Sequence, residues 1–132
     1  MINVLVTGGA GFIGHHMIRR LLKEPGYNIV SLDRLDFAGN LNRLADLAQE
    51  FPAETMRRLK IIFHDLRAEI NPQLAAQIGH IDYIVHLAAG SHVTRSIENP
   101  MRFVQDNVIG TVNLLDYARH NLPNLKLSLI HI

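Results

Sequence analysis

The sequence predicts an α/β chain built as a doubly wound parallel sheet, carried to about its fifth strand. Three observations lead there: short β-branched runs recur along the chain, amphipathic stretches at helical spacing separate them, and the runs are apolar throughout rather than alternating. Strands of that kind need cover on both faces, which helices on either side of a parallel sheet supply. A length of 132 residues, 48% hydrophobic and 19% charged, suits one modest domain with a sizeable core.

Ile2 to Val6 is rich in β-branched residues and reads as the first strand. Glycines follow, then Ile13, Met17 and Leu21 at four-residue spacing, so a turn leads into a helix. Arg19, Arg20 and Lys23 fall in its last turn, where the helix dipole favours cations, and Pro25-Gly26 ends it. Asn28 to Leu32 is the second strand. Leu41, Leu44 and Leu47 give Asn40 to Phe51 a helical pattern, and Leu59 to Phe63 is the third strand. Pro72 to Ile78 is a short helix and Ile81 to His86 the fourth strand. Asn99-Pro100 joins a capping side chain to a proline at the first helical position and opens a long helix to about Asn121. Within it, Phe103, Val104, Val108, Val112 and Leu115 form a stripe expected to belong mostly to the core. Leu125 to Ile130 would be the fifth strand, and no low-complexity tract, repeat or linker interrupts the series.

Thirteen Lys plus Arg against twelve Asp plus Glu give a net charge of +1. That balance lacks the basic surplus of a nucleic-acid or anionic-membrane binder, so neither partner is expected. No apolar run has bilayer-spanning length, and Met1-Ile-Asn-Val-Leu-Val-Thr-Gly8 lacks a basic start and a cleavage site, which makes the cytoplasm the expected location. Without cysteine there is no disulfide framework, thiolate zinc site or cysteine nucleophile. Eight histidines are present, but adjacent His15 and His16 should point about 100° apart on a helix. No histidine pair has a carboxylate or thiolate at ligand spacing, so no metal is expected.

The most informative segment is Thr7-Gly8-Gly9-Ala10-Gly11-Phe12-Ile13-Gly14, placed where a strand hands over to a helix. A side chain at these glycines would block a tight turn or hold the backbone away from a pyrophosphate, whose charge meets amide hydrogens at the helix N-terminus. Asp33 answers it from the end of the second strand, 19 residues after Gly14. The combination is the fingerprint of a Rossmann-type dinucleotide site, far more specific than the glycines alone. A carboxylate at Asp33 accepts hydrogen bonds from both ribose hydroxyls and repels a 2′-phosphate, favouring NAD over NADP. Arg34 stands against that preference, since an arginine there can receive a 2′-phosphate.

With Thr-Gly-x-x-Gly-x-x-Gly at residues 7 to 14 and two later segments, the sequence resembles the extended short-chain dehydrogenase/reductases of the NAD-dependent epimerase/dehydratase family. Within them it is most similar to the dTDP-glucose 4,6-dehydratases. Asp33-Arg-Leu-Asp-Phe-Ala-Gly-Asn40 is close to their Asp-Lys-Leu-Thr-Tyr-Ala-Gly-Asn. His86-Leu-Ala-Ala-Gly-Ser-His-Val-Thr-Arg-Ser-Ile97 is close to their His-Leu-Ala-Ala-Glu-Ser-His-Val-Asp-Arg-Ser-Ile, and Asn107-Val-Ile-Gly-Thr111 matches a third segment. The resemblance runs from Met1 to about Lys126. It implies Gly8, Gly11, Phe12, Ile13 and Gly14 at the pyrophosphate, and Asp33, Arg34, Leu35 and Asp36 at the adenosine ribose. Asp65 and Leu66 would lie beside the adenine, Leu87, Ala88, Ala89, Gly90 and Ser91 along the nicotinamide half, and Asp106 on the cofactor side. Ser91 would also face the sugar nucleotide, while for His92 and Arg95 substrate contact and a structural hydrogen-bonding role stand level. Gly90 replaces the family's Glu, Thr94 its Asp and Asp106 its Thr, departures that bear on the substrate rather than on the fold.

The resemblance further implies a homodimer, built partly through the long helix, and a Tyr-x-x-x-Lys pair with a Thr-Asp-Glu triplet for the chemistry. Tyr27, Tyr83 and Tyr117 are followed four residues later by Ser31, Leu87 and Asn121, so this chain holds no such pair. A carboxyl-terminal sugar-binding domain is likewise not present. Leu127-Ser-Leu-Ile-His-Ile132 is the in-frame translation of CTG TCT CTT ATA CAC ATC, a transposon end used in sequencing libraries. Residues 1–126 are therefore expected to be an incomplete NAD-binding domain and 127–132 an adapter-derived tail, the alternative being a genuine fifth strand. The expected function is the NAD-binding part of a nucleotide-sugar 4,6-dehydratase acting on dTDP-glucose, inactive by itself. The alternatives are a nucleotide-sugar 4-epimerase or other sugar-nucleotide dehydratase, and a non-catalytic NAD-binding module.

Overall fold

The computed structural model describes residues 1–36 and 38–129, with side chains through 127. Among the described residues, five strands form one parallel sheet in the order β3-β2-β1-β4-β5. They are β1 (Ile2–Thr7), β2 (Tyr27–Asp33), β3 (Leu59–Phe63), β4 (Tyr83–His86) and β5 (Lys126–Leu129). The chain builds outward from β1 to β3, then crosses back to lay β4 on the other side of β1. The expected parallel α/β class is what forms. Residue 130 of the predicted fifth strand, and residues 130–132 of the supposed tail, lie outside the described residues, whereas 127–129 pair with β4.

Helices cover both faces. Val4, Val6, Ile29, Ile18, Leu22, Leu44 and Leu47 form one core beneath α1 (Phe12–Leu22) and α2 (Leu41–Glu50). Leu5, Val30, Leu32, Ile84, Ile78, Leu114 and Tyr117 form the other, beneath α4 (Pro72–Ile78) and α7 (Gly110–Asn121). Alternate residues of one strand therefore enter opposite cores, which is why the strands read as unbroken apolar runs. The edge strand β3 departs from this expectation: Ile62 is buried, but Ile61 is 39% and Phe63 57% exposed.

Helix starts follow their caps. Asn40 accepts from the amide of Asn42 at 2.9 Å, Asn71 from Leu74 at 2.9 Å, and Asn99 from Arg102 at 3.3 Å, the last two followed by Pro72 and Pro100. Two short helices were not foreseen, α3 (Ala53–Met56) and α5 (Val93–Glu98), both too brief for a periodic signal. In α1 the buried line is Gly14, Ile18 and Leu22, one residue on from the expected Ile13, Met17 and Leu21. The reason is that the helix presses a glycine against the turn, and glycine contributes nothing to a hydropathy pattern.

The long helix has the expected extent, but it is not uniform. It runs from α6 (Pro100–Val104) through a π-helical stretch, Gln105–Ile109, into α7. The wider turn shifts the helical register, so Gly110, Leu114, Tyr117 and Ala118 are buried. The expected core stripe of Val104, Val108, Val112 and Leu115 is 40–55% exposed, and Phe103 is half-buried. Among the described residues no helix is long and apolar enough to cross a membrane.

One buried group is poorly matched to its surroundings. The Ser31 hydroxyl is fully enclosed on β2 with no hydrogen-bond partner among the described residues. An unpaired buried hydroxyl costs about 1–3 kcal/mol, so Ser31→Ala should stabilise the fold, by about 1 kcal/mol after loss of packing. Urea unfolding should show a higher midpoint at unchanged m; a lower midpoint would mean that Ser31 has a favourable role.

Candidate functional site

The carboxyl ends of the strands align: Thr7 sits beside Leu32 on one side and His86 on the other, and Asp33 beside Phe63. The site forms where β1 is flanked by β2 and β4, whose outgoing connections part in opposite directions and leave a crevice. A cleft opens there, lined from β1, β2 and β4 by Gly8, Asp33 and Ala88 among others.

The β1-to-α1 turn forms the cleft's floor. Gly8 has φ +70°, and a Cβ on it would lie 2.8 Å from the Ala88 nitrogen, so the chain leaving β4 runs directly against it. A Cβ on Gly14 would lie 2.0 Å from the Gly8 carbonyl oxygen. These two contacts hold the start of α1 against the sheet edge. Gly11 is the N-cap and provides no side-chain cap, leaving first-turn amides available to an anion.

Asp33 fastens the neighbouring loop. Its carboxylate accepts from the Ala10 amide at 3.0 Å through Oδ2 and from the Leu35 amide at 2.8 Å through Oδ1. Leu35 is held at φ +56°, an uncommon conformation for a branched residue, within the same loop. Arg43 reaches over to donate to the carbonyls of Ala10 at 3.0 Å and Ala38 at 2.8 Å, joining loop to turn.

A charged corner closes one end. The Arg34 guanidinium donates to Asp106 at 2.6 and 2.8 Å and to Asp36 at 2.6 and 3.1 Å, with Asp65 at 3.6 Å. Arg67 binds Asp65 at 2.6 Å, and Arg102 approaches Asp36 at 3.5 Å. The Asp106 hydrogen bond raises the Arg34 pKa further, against the opposing effect of burial, with Asp36 adding to it. Burial alone would raise Asp36, but the Ala38 amide and Arg34 outweigh it and hold its carboxyl below the ordinary range. Asp65 is depressed likewise, burial being overcome by hydrogen bonds from Arg67 and by the charge of Arg34.

On the far side, the Asn107 side chain grips the backbone of Gly90, accepting from its amide at 2.7 Å and donating to its carbonyl at 3.1 Å. Beneath it lies a buried polar chain. Thr111 donates to the Asn107 carbonyl at 2.6 Å, so its oxygen accepts from His86 Nε2 at 3.0 Å. His86 Nδ1 then accepts from the Thr7 hydroxyl at 2.6 Å, and that oxygen also accepts from the amides of Leu87 and Ala88.

Of the residues singled out from sequence, Gly8, Gly11, Asp33, Arg34, Asp36, Asp65 and Leu66 line the cleft, as do Leu87 to Ser91, His92 and Asp106. Phe12, Ile13, Gly14 and Leu35 do not. Phe12 and Ile13 are 70% and 46% exposed, and the Leu35 side chain packs on the α1–α2 core. Arg67, Arg102, Phe103 and His64 also line the cleft and were not foreseen. Local spacing could have flagged Arg67, two residues after Asp65. Nothing local links Arg102 to Asp36. His15 and His16, expected to diverge, lie with ring centroids 4.0 Å apart at 39°. Among the described residues no group of three His, Cys, Asp or Glu side chains is placed to hold a metal.

The family model described as GDP-mannose 4,6 dehydratase matches residues 5–132. A dTDP-glucose 4,6-dehydratase of Neisseria gonorrhoeae is 40% identical over 117 residues, 89% of this chain and 32% of that protein. The UDP-Glc/GlcNAc 4-epimerase of Campylobacter jejuni superposes with a TM-score of 0.83 at 29% identity, covering 98% of this chain and 36% of that one. The dTDP-glucose 4,6-dehydratase of Streptomyces venezuelae, solved with NAD bound, gives 0.75 at 38% identity, over 91% and 36%. The chain thus spans about a third of the length of the curated relatives it matches.

Two outcomes follow from the site's geometry. Gly14→Ala should disrupt the turn and lower stability by about 2 kcal/mol or more; Gly26→Ala, with nothing within 4 Å, should lose under about 0.5 kcal/mol. Equal midpoints in urea would contradict the close approach. Asp36 and Asp65 have depressed folded pKa values, so their stabilisation is complete above the unfolded value near pH 4 and lost as pH falls through the depressed ones. The melting temperature should fall below about pH 4, and less steeply in Asp36→Asn.

Proposed function

The chain belongs to the GDP-mannose 4,6 dehydratase family, and on that premise we propose that it is the NAD-binding part of a nucleotide-sugar 4,6-dehydratase of the dTDP-glucose type. The observation that carries this is that Gly8, Gly11 and Asp33 line one cleft at the crossover of the sheet, with the uncapped first turn of α1 following directly on Gly11. The fit to a dinucleotide is good on the chain's own atoms. Each Asp33 oxygen takes one backbone amide and, as a carboxylate with about four acceptor sites, keeps capacity for two ribose hydroxyls.

In this reading the amides of Phe12, Ile13 and Gly14 hold the pyrophosphate, Asp33 the adenosine ribose, and Asp65 with Leu66 flanks the adenine. Leu87 to Ser91 run beside the nicotinamide, fixed through the Asn107 grip on Gly90. Ser91 and His92, at the start of α5, face the sugar nucleotide. When bound, NAD would supply the acceptor for a hydride from the sugar. The chain's own residues bind and orient; no tyrosine among them has a lysine four residues on. The exposed apolar line of Val104, Val108, Val112 and Leu115 supports a homodimer through α6 and α7.

The likeness to the Campylobacter jejuni 4-epimerase favours a second reading, a nucleotide-sugar 4-epimerase on the same cofactor half. Incubating the longest protein its gene encodes with NAD and dTDP-glucose separates them: a 4-keto-6-deoxy product supports the dehydratase, a C4 epimer the alternative. The 132-residue chain alone should give neither product while still binding NAD, and turnover by it would overturn this division of labour. Asp33→Asn should weaken NAD binding and narrow the preference against NADP, by about 1–3 kcal/mol for a lost charge-assisted contact. Unchanged affinity for both cofactors in calorimetric titration would make Asp33 a purely structural residue.

A further inference from the structure

We propose that Asp106, with Asp36, determines the cofactor preference of this site by withholding Arg34 from a 2′-phosphate. The inference rests on the NAD reading above and deepens it. Arg34 follows directly on Asp33 at the cleft wall, the place from which an arginine receives the 2′-phosphate of NADP. An arginine there would ordinarily predict tolerance of NADP. Here its donors are already committed.

Nη1 donates to Asp106 Oδ1 at 2.6 Å and Nη2 to Asp106 Oδ2 at 2.8 Å, a two-pronged match of fork to carboxylate. Nε and Nη2 both donate to Asp36 Oδ2, at 3.1 and 2.6 Å. That accounts for four of the five guanidinium hydrogens, and the fifth belongs to Nη1, 3.6 Å from Asp65 Oδ1. The Asp106 side chain is 7% exposed and that of Arg34 22%, so solvent and salt screen the pair little. The nearby cations do not free it: Arg67 is hydrogen-bonded to Asp65 and stands 3.8 Å from Asp106, beyond hydrogen-bond reach, and Arg102 approaches Asp36 at 3.5 Å. An incoming 2′-phosphate would meet Asp33, Asp36, Asp65 and Asp106 and would have to pull Arg34 out of its bidentate contact with Asp106 and both its hydrogen bonds to Asp36 Oδ2.

The three partners also differ together from the resembled pattern. Where that pattern has Lys, Thr and Thr, this chain has Arg34, Asp36 and Asp106. Asp106 lies 72 residues from Arg34 in sequence, and it reaches the cleft from the π-helical turn.

The test is the ratio of dissociation constants, NADP over NAD, measured by calorimetry on the longest protein its gene encodes. The wild type should favour NAD by roughly a hundredfold, and Asp106→Asn should cut that ratio by roughly tenfold or more through tighter NADP binding. Adding Arg34→Leu to Asp106→Asn should abolish the gain, because Arg34 is then the phosphate ligand. Asp36→Asn should move the ratio the same way to a smaller extent, and decides the matter if Asp106→Asn does not fold. An unchanged ratio in folded, NAD-binding variants overturns the proposal, as does a gain that survives loss of Arg34. Wild type binding NADP as tightly as NAD would overturn it while leaving the dinucleotide site intact; binding of neither cofactor would sink both.

Discussion

The site depends on one close approach, that of the Gly8 backbone to its neighbours. With φ +70° and the Ala88 nitrogen 2.8 Å from where a side chain would begin, Gly8 lets the chain leaving β4 lie directly over the end of β1. Gly14 completes the contact from the other side by admitting the Gly8 carbonyl. Without this packing the start of α1 would stand off the sheet, and Gly8 and Gly11 would no longer line the cleft. The sheet order supplies the crevice, and the glycines decide that the β1-to-α1 turn lies at its floor.

Around that contact the charges are arranged to hold loops in place rather than to create a strong local field. Asp33 ties the turn to the 34–40 loop through two backbone amides, and the Arg34, Asp36 and Asp106 contacts tie that loop to the helical run across the cleft. Each carboxylate in the corner has a guanidinium or amide partner, which is the condition under which partly buried charges are tolerable. Asp33 serves structure and, in the proposed reading, recognition with the same two oxygens. That economy means a substitution there acts on loop geometry and on ligand contact at once.

Much of this was legible in the sequence, and the gaps have physical causes. Strands, helix caps and the Gly8–Gly14 turn are local features whose residue types carry their own geometry, so β1, β2, α4 and the Asp33 placement could be read directly. The α1 stripe was displaced by one residue because its tightest contact is made by a glycine, invisible to hydropathy. The Val104 to Leu115 stripe was assigned to the core because apolar periodicity marks a face without saying what covers it. Arg102 and Asp36, 66 residues apart by number, meet only through tertiary structure.

The π-helical stretch, which no periodicity announced, is where these threads join. A regular α-helix turns about 100° per residue, so neighbouring side chains diverge; a wide turn relaxes that divergence locally. Asp106 and Asn107 lie within it, and Thr111 just beyond, and each holds a different part of the site. Asp106 takes Arg34 from the β2 side, Asn107 takes Gly90 after β4, and Thr111 reaches through His86 to Thr7 at the end of β1. One short irregular segment thereby references three strand ends at once. The sheet fixes where Arg34, Gly90 and His86 stand, and the wide turn is where the helix passing them places Asp106 and Asn107, consecutive residues, on two different partners.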